Sequence, residues 1–186
     1  MSVLFRPGYA LPMRILLTLL GAAILLGGAM AQEKTGPQVG AKAPAFRLND
    51  QEGKARTLDE LRGKGWFVLA FYPKAMTGGC TKEVCSLRDS LKDLEGIGVA
   101  VAGISLDDVV SQKAFHEQQK LNFPLLSDPD GSVAAKYAAL LADKPYSTRV
   151  TFVIDDKGVL RYRDDKVNVV SHGADLAGVV RGLRGQ

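Results

Sequence analysis

Several stretches of apolar residues along the chain have the length and composition of β-strands. They are residues 44–51, 66–72, 99–104, 123–126, 149–154 and 159–163. Residues 66–72 (WFVLAFY) and 99–104 (VAVAGI) are continuously apolar, which is typical of central parallel strands that are covered on both faces. The turn-forming sequence Asp155-Asp156-Lys157-Gly158 separates the last two stretches, so these are predicted to form a β-hairpin.

The hydrophobic period changes at Thr77, after the first continuous apolar run. Apolar residues then recur at alternating intervals of four and three, which predicts one stripe of a helix that runs from residue 77 toward Gly96. The residues of this stripe are Cys80, Val84, Leu87, Leu91 and Leu94. Further helices are predicted at residues 57–61, with Thr57 as the N-terminal cap, and at residues 108–120, 130–141 and 174–183.

Strands that alternate with helices, followed by a terminal hairpin, predict an α/β fold. We expect three layers, α/β/α, with a central mixed sheet. Residues 44–186 are enough for one domain with a substantial core, and residues 32–43 are predicted to be a flexible lead-in to it.

Residues 1–31 have the pattern of an export signal. Arginines precede the apolar run 15–28, and the small-x-small sequence Ala29-Met30-Ala31 follows it. We expect cleavage after Ala31, with Met13 as an alternative start of translation. The protein is therefore expected to be exported, to the periplasm or the medium, without stable membrane association after cleavage, because the apolar run is short for a membrane span.

The charge of the chain changes when this signal is set aside. The formal net charge is +4, and it falls to +2 without Arg6 and Arg14. The remaining basic residues are interspersed with acidic ones. We therefore expect no nucleic acid partner.

The chain contains two cysteines, Cys80 and Cys85. A structural disulfide over so short an interval would restrict the unfolded chain very little, so the spacing indicates a chemical role. Cys80 falls in the first turn of the predicted helix, where free backbone N–H groups and the helix dipole favour a thiolate. Cys85 lies about 100° around the helix from Val84 and faces elsewhere.

The residues around the cysteines resemble the active-site segment of a known family. They are similar to bacterioferritin-comigratory-protein-like peroxiredoxins, the PrxQ class, over the segments Phe71–Lys74, Thr77–Cys85 and Arg88–Asp89. The peroxiredoxin pattern of Pro, three residues, Thr, two residues and Cys is met by Pro73, Thr77 and Cys80. Further similar segments are residues 39–40, 43–46, 53–54, 61–64, 123–128 and 149–155. Members commonly have Pro where this chain has Gly78, and the stretch 137–147 is shorter than expected.

The resemblance implies a thioredoxin-like fold and a thiol peroxidase that reduces hydrogen peroxide and organic hydroperoxides without metal, haem or flavin. It implies that Cys80 becomes a sulfenic acid and that Cys85 then condenses with it to form a disulfide. By position, Arg149 corresponds to the arginine that the family brings beside the reactive sulfur. Thr77 and Arg149 would hold and polarise the peroxide, while Pro73 shields the sulfur from water. A thioredoxin-like protein or another dithiol would regenerate the enzyme, which is expected to be a monomer or at most a weak dimer.

The two cysteines are too far apart to form a disulfide while the helix between them is intact. Residues five apart in an α-helix have Cα atoms about 8.6 Å apart, whereas a disulfide tolerates about 7 Å. We therefore expect the first turns of the helix to unwind between peroxide attack and disulfide formation, which Gly78 and Gly79 facilitate.

Two alternative functions account for less of the sequence. A thioredoxin-like disulfide oxidoreductase needs a Cys-x-x-Cys motif, whereas four residues separate the cysteines here. An exported copper-binding or thiol carrier domain of thioredoxin-like fold could use both cysteines with His172. That function leaves Thr77 and Arg149 unexplained.

Other polar residues near the motif or elsewhere have simpler interpretations. His116 and His172 are predicted to be surface or helix-end residues, not catalytic bases. Glu83 either hydrogen bonds near the site or is an exposed acid near the positive end of the helix. Arg88 is predicted to pair with a local carboxylate, with assistance to catalysis as the alternative.

Overall fold

The structure is a computed structural model that describes residues 36–185. The predicted signal, residues 1–31, and the start of the predicted lead-in lie outside the described residues. Residues 36–185 belong to one compact unit. Within this range, no helix has the length and apolar character needed to cross a membrane.

The strands of the protein form one mixed sheet. They are β1 (Arg47–Asp50), β2 (Ala55–Thr57), β3 (Trp66–Phe71), β4 (Val99–Ser105), β5 (Leu125–Ser127), β6 (Val150–Ile154) and β7 (Leu160–Asp164). Their order across the sheet is β2-β1-β5-β4-β3-β6-β7. β3 is an inner strand, which pairs in parallel with β4 and antiparallel with β6.

Helices cover both faces of this sheet. They are α1 (Leu58–Arg62), α2 (Gly78–Asp89), α3 (Leu91–Gly96), α4 (Val109–Gln118), α5 (Ser132–Lys136) and α6 (His172–Arg184). Alternate side chains of β3 enter two separate cores: Val68 packs in a cluster with residues of α2, α3, α4 and α6, and Leu69 in a cluster with α1 and α5. The predicted three-layer arrangement with a central mixed sheet is confirmed.

Most of the elements predicted from the sequence are present. The hairpin of β6 and β7, the buried strands β3 and β4, and the helices α4 and α6 lie within a few residues of their predicted positions. Thr57 caps α1 as expected, since its side-chain oxygen accepts a hydrogen bond from the backbone N–H of Glu60 at 3.2 Å. Strand β2, which is three residues long, was not predicted.

The helix predicted from residue 77 toward Gly96 is in fact two helices. The chain leaves the helical conformation at Ser90, with φ −97° and ψ 2°, so α2 ends and α3 begins there. The reason is tertiary: the first turn of α6 packs so closely on this point that a Cβ added to Gly173 would lie 2.5 Å from the Ser90 Cβ. The buried stripe itself was predicted correctly, because Leu91 and Leu94 remain in the core.

The prediction of a helix over residues 130–141 was wrong in length, because α5 spans only Ser132–Lys136. The side chain of Tyr137 is buried, and its hydroxyl donates to the backbone oxygen of Pro44 at 2.8 Å. Ala138 then adopts a left-handed conformation, with φ 50°, which ends the helix. Tertiary contacts thus override the helix propensity of this alanine-rich segment.

The beginning of the packed chain lies earlier than the predicted domain boundary at Pro44. The backbone N–H of Gly40 donates to Leu160 O at 2.8 Å, and Leu160 N–H donates to Ala41 O at 2.9 Å. Part of the predicted lead-in therefore hydrogen bonds to strand β7.

Candidate active site

The loop between β3 and α2 positions the first cysteine. β3 ends at Phe71, and the chain enters α2 at Gly78, so Cys80 lies in the first turn of that helix. The cysteine is buried, with 1% of its surface exposed. The nucleophile expected from the sequence is therefore enclosed at the start of a helix.

Hydrogen bonds hold this loop at both ends. The Ser147 hydroxyl donates to the backbone oxygen of Tyr72 at 2.6 Å. Further along, the Ala75 N–H donates to the Asp107 carboxylate at 2.8 Å, and Ser105 donates to the same carboxylate oxygen at 2.7 Å. Near the end of the loop, Met76 is in the left-handed region, with φ 64°. The path of the chain into α2 is therefore fixed by side chains from other elements.

Pro73 and Thr77 lie on this loop. Pro73 is half-buried directly after β3, whereas Thr77 is exposed and occupies the N-terminal cap position of α2. The Thr77 side chain makes no capping hydrogen bond to the helix; its hydroxyl donates to the backbone oxygen of Lys74 at 2.9 Å. The oxygen of Thr77 keeps its lone pairs as acceptors for another group.

Arg149 lies beside the buried sulfur, immediately before β6. Its Nη2 donates to Cys80 Sγ at 3.4 Å, and its Nη1 donates to Glu83 Oε2. The close approach of the guanidinium depends on Gly79, because a Cβ there would lie 3.2 Å from Arg149 Nη2. A planar guanidinium with several donors suits such a bridging position between a sulfur and a carboxylate.

Glu83 is fully buried, so the structure favours the first of the two interpretations left open by the sequence. One carboxylate oxygen pairs with Arg149. The other, Oε1, lies 3.5 Å from His172 Nδ1. A buried carboxylate is costly unless it is paired in this manner.

His172 lies at a helix end, the start of α6, which is one of the two predicted placements, but it does not lie on the surface. The ring is 1% exposed, because α6 packs against α2, and its Nε2 lies 3.0 Å from Thr151 Oγ1. Burial and, to a smaller extent, the charge of Arg149 lower the pKa of His172 to about 4, against an opposing effect of Asp175. The imidazole is therefore neutral at neutral pH.

Cys85 lies on the same helix as Cys80 but in a different environment. It is half-buried, and its Sγ lies 3.7 Å from Gln119 Oε1. Both cysteines are free thiols, and α2 is continuous from Gly78 to Asp89. Arg88 pairs with Asp89 at 2.8 Å and donates to the Gln119 backbone oxygen at 2.7 Å, so local pairing of Arg88 is confirmed.

The buried residues His172 and Thr151 are the part of the site that sequence reasoning missed, whereas the role of Glu83 was left open. One signal was available for Glu83, since Cys80, Glu83 and Val84 are spaced i, i+3, i+4 and therefore share a face of the helix. No comparable signal exists for His172, because its contact with Glu83 joins elements that are far apart in the sequence.

A metal site of the kind required by the copper-carrier alternative is not evident. Among residues 36–185, no group of three or more His, Cys, Asp and Glu side chains could hold a metal ion. The two ring nitrogens of His172 face Glu83 and Thr151 instead.

The chain is similar to known proteins over most of its length. A model of the AhpC/TSA family matches residues 39–163. The chain is 41% identical over 147 residues to the peroxiredoxin bcp of Coxiella burnetii, and the match covers 76% of this chain and 97% of the relative. It is 38% identical over 152 residues to the peroxiredoxin bcp of Haemophilus influenzae, covering 78% of this chain and 97% of the relative.

Solved structures share the fold. Peroxidoxin BcpB of Mycobacterium tuberculosis has a TM-score of 0.73 at 36% identity, covering 78% of this chain and 97% of its own. The bacterioferritin comigratory protein of Xanthomonas campestris, which is described with alkyl peroxide reduction activity, has a TM-score of 0.68 at 26% identity and covers 74% and 90%. The prediction of a thioredoxin-like fold is confirmed by these structures.

Proposed function

The chain belongs to the AhpC/TSA family and is a peroxiredoxin, a thiol peroxidase of the bacterioferritin comigratory protein type, and on that premise we propose that Cys80 attacks the peroxide and Cys85 resolves the product. The observation that carries this assignment is the Arg149 guanidinium 3.4 Å from the Cys80 sulfur, at the start of α2. This contact brings together the nucleophilic sulfur and a hydrogen-bond donor for the oxygen that leaves the peroxide.

The proposed first step is an in-line displacement on the O–O bond. The Cys80 thiolate forms a bond to one peroxide oxygen, the O–O bond breaks, and the second oxygen leaves as hydroxide or alkoxide, which takes up a proton. Sulfur is oxidised to the sulfenic acid, and the peroxide is reduced to water or an alcohol. Negative charge therefore moves from sulfur to the leaving oxygen. A positively charged hydrogen-bond donor near that oxygen stabilises the transition state.

Activation of the thiol alone contributes little to such a reaction. For a thiol in general, a pKa lowered from about 8.5 to about 6 raises the thiolate fraction at pH 7 about 30-fold, but it reduces intrinsic nucleophilicity about 13-fold. The net gain is about twofold. Orientation of the peroxide and stabilisation of the leaving oxygen must supply most of the rate.

Arg149, Thr77 and Pro73 are proposed to provide this environment. Arg149 donates to the peroxide oxygens as charge develops on them. The Thr77 oxygen, which has lone pairs available, accepts the peroxide O–H and so orients the substrate. Pro73, at the end of β3, restricts the access of water to the sulfur. Hydrogen peroxide and organic hydroperoxides, such as those reduced by the Xanthomonas campestris relative, are the proposed substrates.

The second proposed step is condensation of Cys85 with the Cys80 sulfenic acid, which releases water and forms an intramolecular disulfide. It requires the first turns of α2 to unwind, because both cysteines lie in one continuous helix. Residues beyond Cys85 are held more firmly, since the Gly173 N–H donates to Ser86 Oγ at 3.2 Å. The proposed unwinding therefore stops near Ser86.

The last proposed step is reduction of the disulfide by an external dithiol, a thioredoxin-like protein or an equivalent reductant. Its thiolate attacks one sulfur of the exposed disulfide, and its second thiol then releases the reduced peroxidase by exchange. The protein is proposed to act as a monomer or at most a weak dimer.

Replacement of each cysteine tests the assignment. Peroxide consumption is measured with the reduced protein, first without and then with an excess of dithiol. Cys80→Ser is expected to abolish consumption, whereas Cys85→Ser is expected to consume about one peroxide per subunit and then stop as a sulfenic acid. Full turnover by Cys80→Ser, or turnover by Cys85→Ser with the same dithiol at the wild-type rate, contradicts the proposal.

Export of the protein is a separate proposal that is supported by the sequence of residues 1–31. Cell fractionation followed by mass measurement of the purified protein tests it. We expect the protein in the periplasm or the medium, beginning at Gln32. A cytoplasmic protein that retains residues 1–31 contradicts this proposal without affecting the proposed chemistry.

A further inference from the structure

Two buried polar atoms near the reactive cysteine face each other without a completed hydrogen bond. Glu83 Oε1 and His172 Nδ1 are 3.5 Å apart, and neither has a hydrogen-bond partner among the described residues. Their companion atoms are engaged, because Glu83 Oε2 accepts from Arg149 and His172 Nε2 lies 3.0 Å from Thr151 Oγ1. Unpartnered polar atoms at this depth are rare and call for an explanation.

One tautomer of His172 gives each of these atoms a complementary partner. If the proton is on Nδ1, a donor faces Glu83 Oε1 at 3.5 Å, and Nε2 accepts from the Thr151 hydroxyl. If the proton is on Nε2, the lone pair of Nδ1 faces the lone pairs of a carboxylate at 3.5 Å, which is repulsive. The geometry therefore favours the Nδ1–H tautomer.

The backbone around His172 is held against α2, so the ring is not free to move away. A Cβ added to Gly173 would lie 2.5 Å from the backbone oxygen of Ser86, which means that the two helices touch at this glycine. The Gly173 N–H also donates to the Ser86 hydroxyl. The start of α6 is thus fixed next to the helix that carries Cys80 and Glu83.

We propose that His172 is a positioning residue for peroxide reduction, which orients the Glu83 carboxylate and, through it, holds the Arg149 guanidinium at the Cys80 sulfur. This inference rests on the proposed roles of Cys80 and Arg149. A carboxylate that is held at one oxygen only can rotate about its side chain, whereas donors to both oxygens fix its plane. The plane of Glu83 in turn sets the position of Arg149, whose side chain is 23% exposed and has solvent as an alternative environment.

Two amide substitutions separate the effect of the donor from the effect of size and polarity. The amide nitrogen of Asn replaces the Nδ1 of a histidine, and that of Gln replaces Nε2. His172→Asn therefore keeps a donor for Glu83, while His172→Gln directs its donor toward Thr151. His116→Asn, on α4, serves as the matched control, because His116 is the other histidine of the chain and lies outside this site.

Each variant is examined with two reactions of the same thiol. The first is the second-order rate of reaction with hydrogen peroxide, measured by rapid mixing. The second is the rate of alkylation of Cys80 by iodoacetamide, read on the Cys80 peptide by mass spectrometry at a pH where the thiol is ionised in every variant. Under these conditions alkylation needs no stabilisation of a leaving oxygen. A purely structural effect on the site changes both rates together, whereas loss of Arg149 positioning slows only the reaction with peroxide.

We expect His172→Gln to react with peroxide at least about tenfold more slowly than the wild type, because the donor that faces the Glu83 carboxylate is lost. His172→Asn is expected to stay within about threefold of the wild type, since the donor to Glu83 is retained. Alkylation rates and the reaction of His116→Asn with peroxide should be unchanged.

Several results overturn the inference. One is a His172→Gln variant that reacts with peroxide as fast as His172→Asn. Another is equal slowing of the peroxide reaction and of alkylation. If neither variant folds, an Nε2–H tautomer of His172 in the wild type overturns the inference. The tautomer is measured from the nitrogen chemical shifts of His172 at pH 7, and the Nδ1–H form is expected. Because loss of activity in Cys80→Ser tests the proposed function separately, normal rates in the His172 variants would reject this inference alone.

Discussion

Arg149 contacts two partners at once, so replacing it affects both. One terminal nitrogen donates to the Cys80 sulfur, and the other pairs with the fully buried Glu83. Removal of the guanidinium therefore leaves a buried carboxylate without its counter-charge, which costs about 3–5 kcal/mol in such cases. A lost activity in Arg149→Ala would combine a catalytic effect with a folding defect.

Arg149→Lys separates these effects. Lysine keeps a positive charge near Glu83, so the free energy of unfolding should fall by less than in Arg149→Ala. It lacks the planar fork that reaches both partners, so peroxide attack should slow at least about tenfold. Rapid mixing with peroxide and urea unfolding provide the two measurements. The control is Arg161→Lys, a surface arginine that pairs with Asp155, and an Arg149→Lys variant with the wild-type rate would exclude the proposed role.

The buried His172 also predicts how stability depends on pH. A histidine in the unfolded chain titrates near 6.5, whereas burial lowers the pKa of His172 to about 4 in the folded protein. Between these values the unfolded chain binds a proton that the folded protein does not. The stabilisation that comes from keeping His172 neutral is therefore fully present above pH 6.5 and is lost as the pH falls toward 4. The loss should amount to roughly 2–3 kcal/mol at pH 4.5.

Urea unfolding at pH 7 and pH 4.5 measures this effect. Other groups titrate over the same range, so the wild type is compared with His172→Asn, which lacks the imidazole. Between pH 7 and pH 4.5, the free energy of unfolding should decrease by roughly 2–3 kcal/mol more in the wild type than in His172→Asn. Equal decreases in the two proteins would mean that His172 is not buried in the neutral form.

Residues with a local motif could be predicted from the sequence, and residues with distant partners could not. The spacing of Pro73, Thr77 and Cys80 identified the loop and the nucleophile because all three lie on one short segment. The buried contact between Glu83 and His172 joins α2 to α6, and neither residue belongs to a sequence motif that predicts this contact. The pairing depends on helix packing, which a single sequence does not reveal.

At the scale of elements, the two ends of α2 differ in how closely other elements approach their backbone. At Gly78 a Cβ would meet nothing within 4 Å, and the proposed unwinding begins at this end. At the other end, Gly173 of α6 packs against Ser86 and Ser90 so closely that a Cβ would lie 2.5 Å from atoms of both. This asymmetry is what a helix needs if its first turns unwind while the rest remains packed.

The neighbouring glycines of α2 should therefore differ in which step they affect. Gly78→Ala adds a methyl group to open space and stabilises the helix start by up to about 1 kcal/mol. Because disulfide formation requires this part of the helix to unwind, it should slow by up to about fivefold. Peroxide attack should be unchanged. Gly79→Ala places its methyl group 3.2 Å from Arg149 Nη2, so it should slow peroxide attack instead.

Quenched rapid mixing measures both steps in the same experiment. Samples are quenched with acid, and the sulfenic acid and the disulfide are quantified by mass spectrometry. Slower resolution in Gly78→Ala should also raise the amount of sulfinic acid at high peroxide, since the sulfenic acid persists longer. If the two variants slow the same step, the division of roles between these glycines is wrong.

Periodicity predicted the long elements well and the short or irregular ones poorly. The stripe through α2 and α3 continues across the break at Ser90, so the pattern alone gave no indication of that break. α5 is shorter than predicted because the buried Tyr137 and the left-handed Ala138 end it. These departures all come from contacts with other elements, not from local preference.

At the scale of the whole molecule, the mixed sheet brings the parts of the site together from distant segments. β3 leads into the loop and α2, and its antiparallel neighbour β6 delivers Arg149 and Thr151 to the same place. The early strands and the final helix complete the two cores on either face. The alternation of strands and helices predicted this architecture, whereas the strand order across the sheet could be known only from the structure.

The central claim is that one subunit passes through a Cys80 sulfenic acid and then a Cys80–Cys85 disulfide. It is tested most directly by rapid mixing of the reduced protein with one equivalent of hydrogen peroxide, followed by acid quenching and mass spectrometry. Trypsin cleaves after Lys82, between the cysteines, so the disulfide joins two peptides that are separate in the reduced protein. The experiment is repeated at several protein concentrations.

We predict a transient species about 16 Da heavier than the reduced protein, with the oxygen on Cys80, followed by a species about 2 Da lighter in which the two peptides are joined. The second step should be independent of protein concentration because it occurs within one chain. First oxidation at Cys85, or a disulfide that forms only between two chains, would contradict the account.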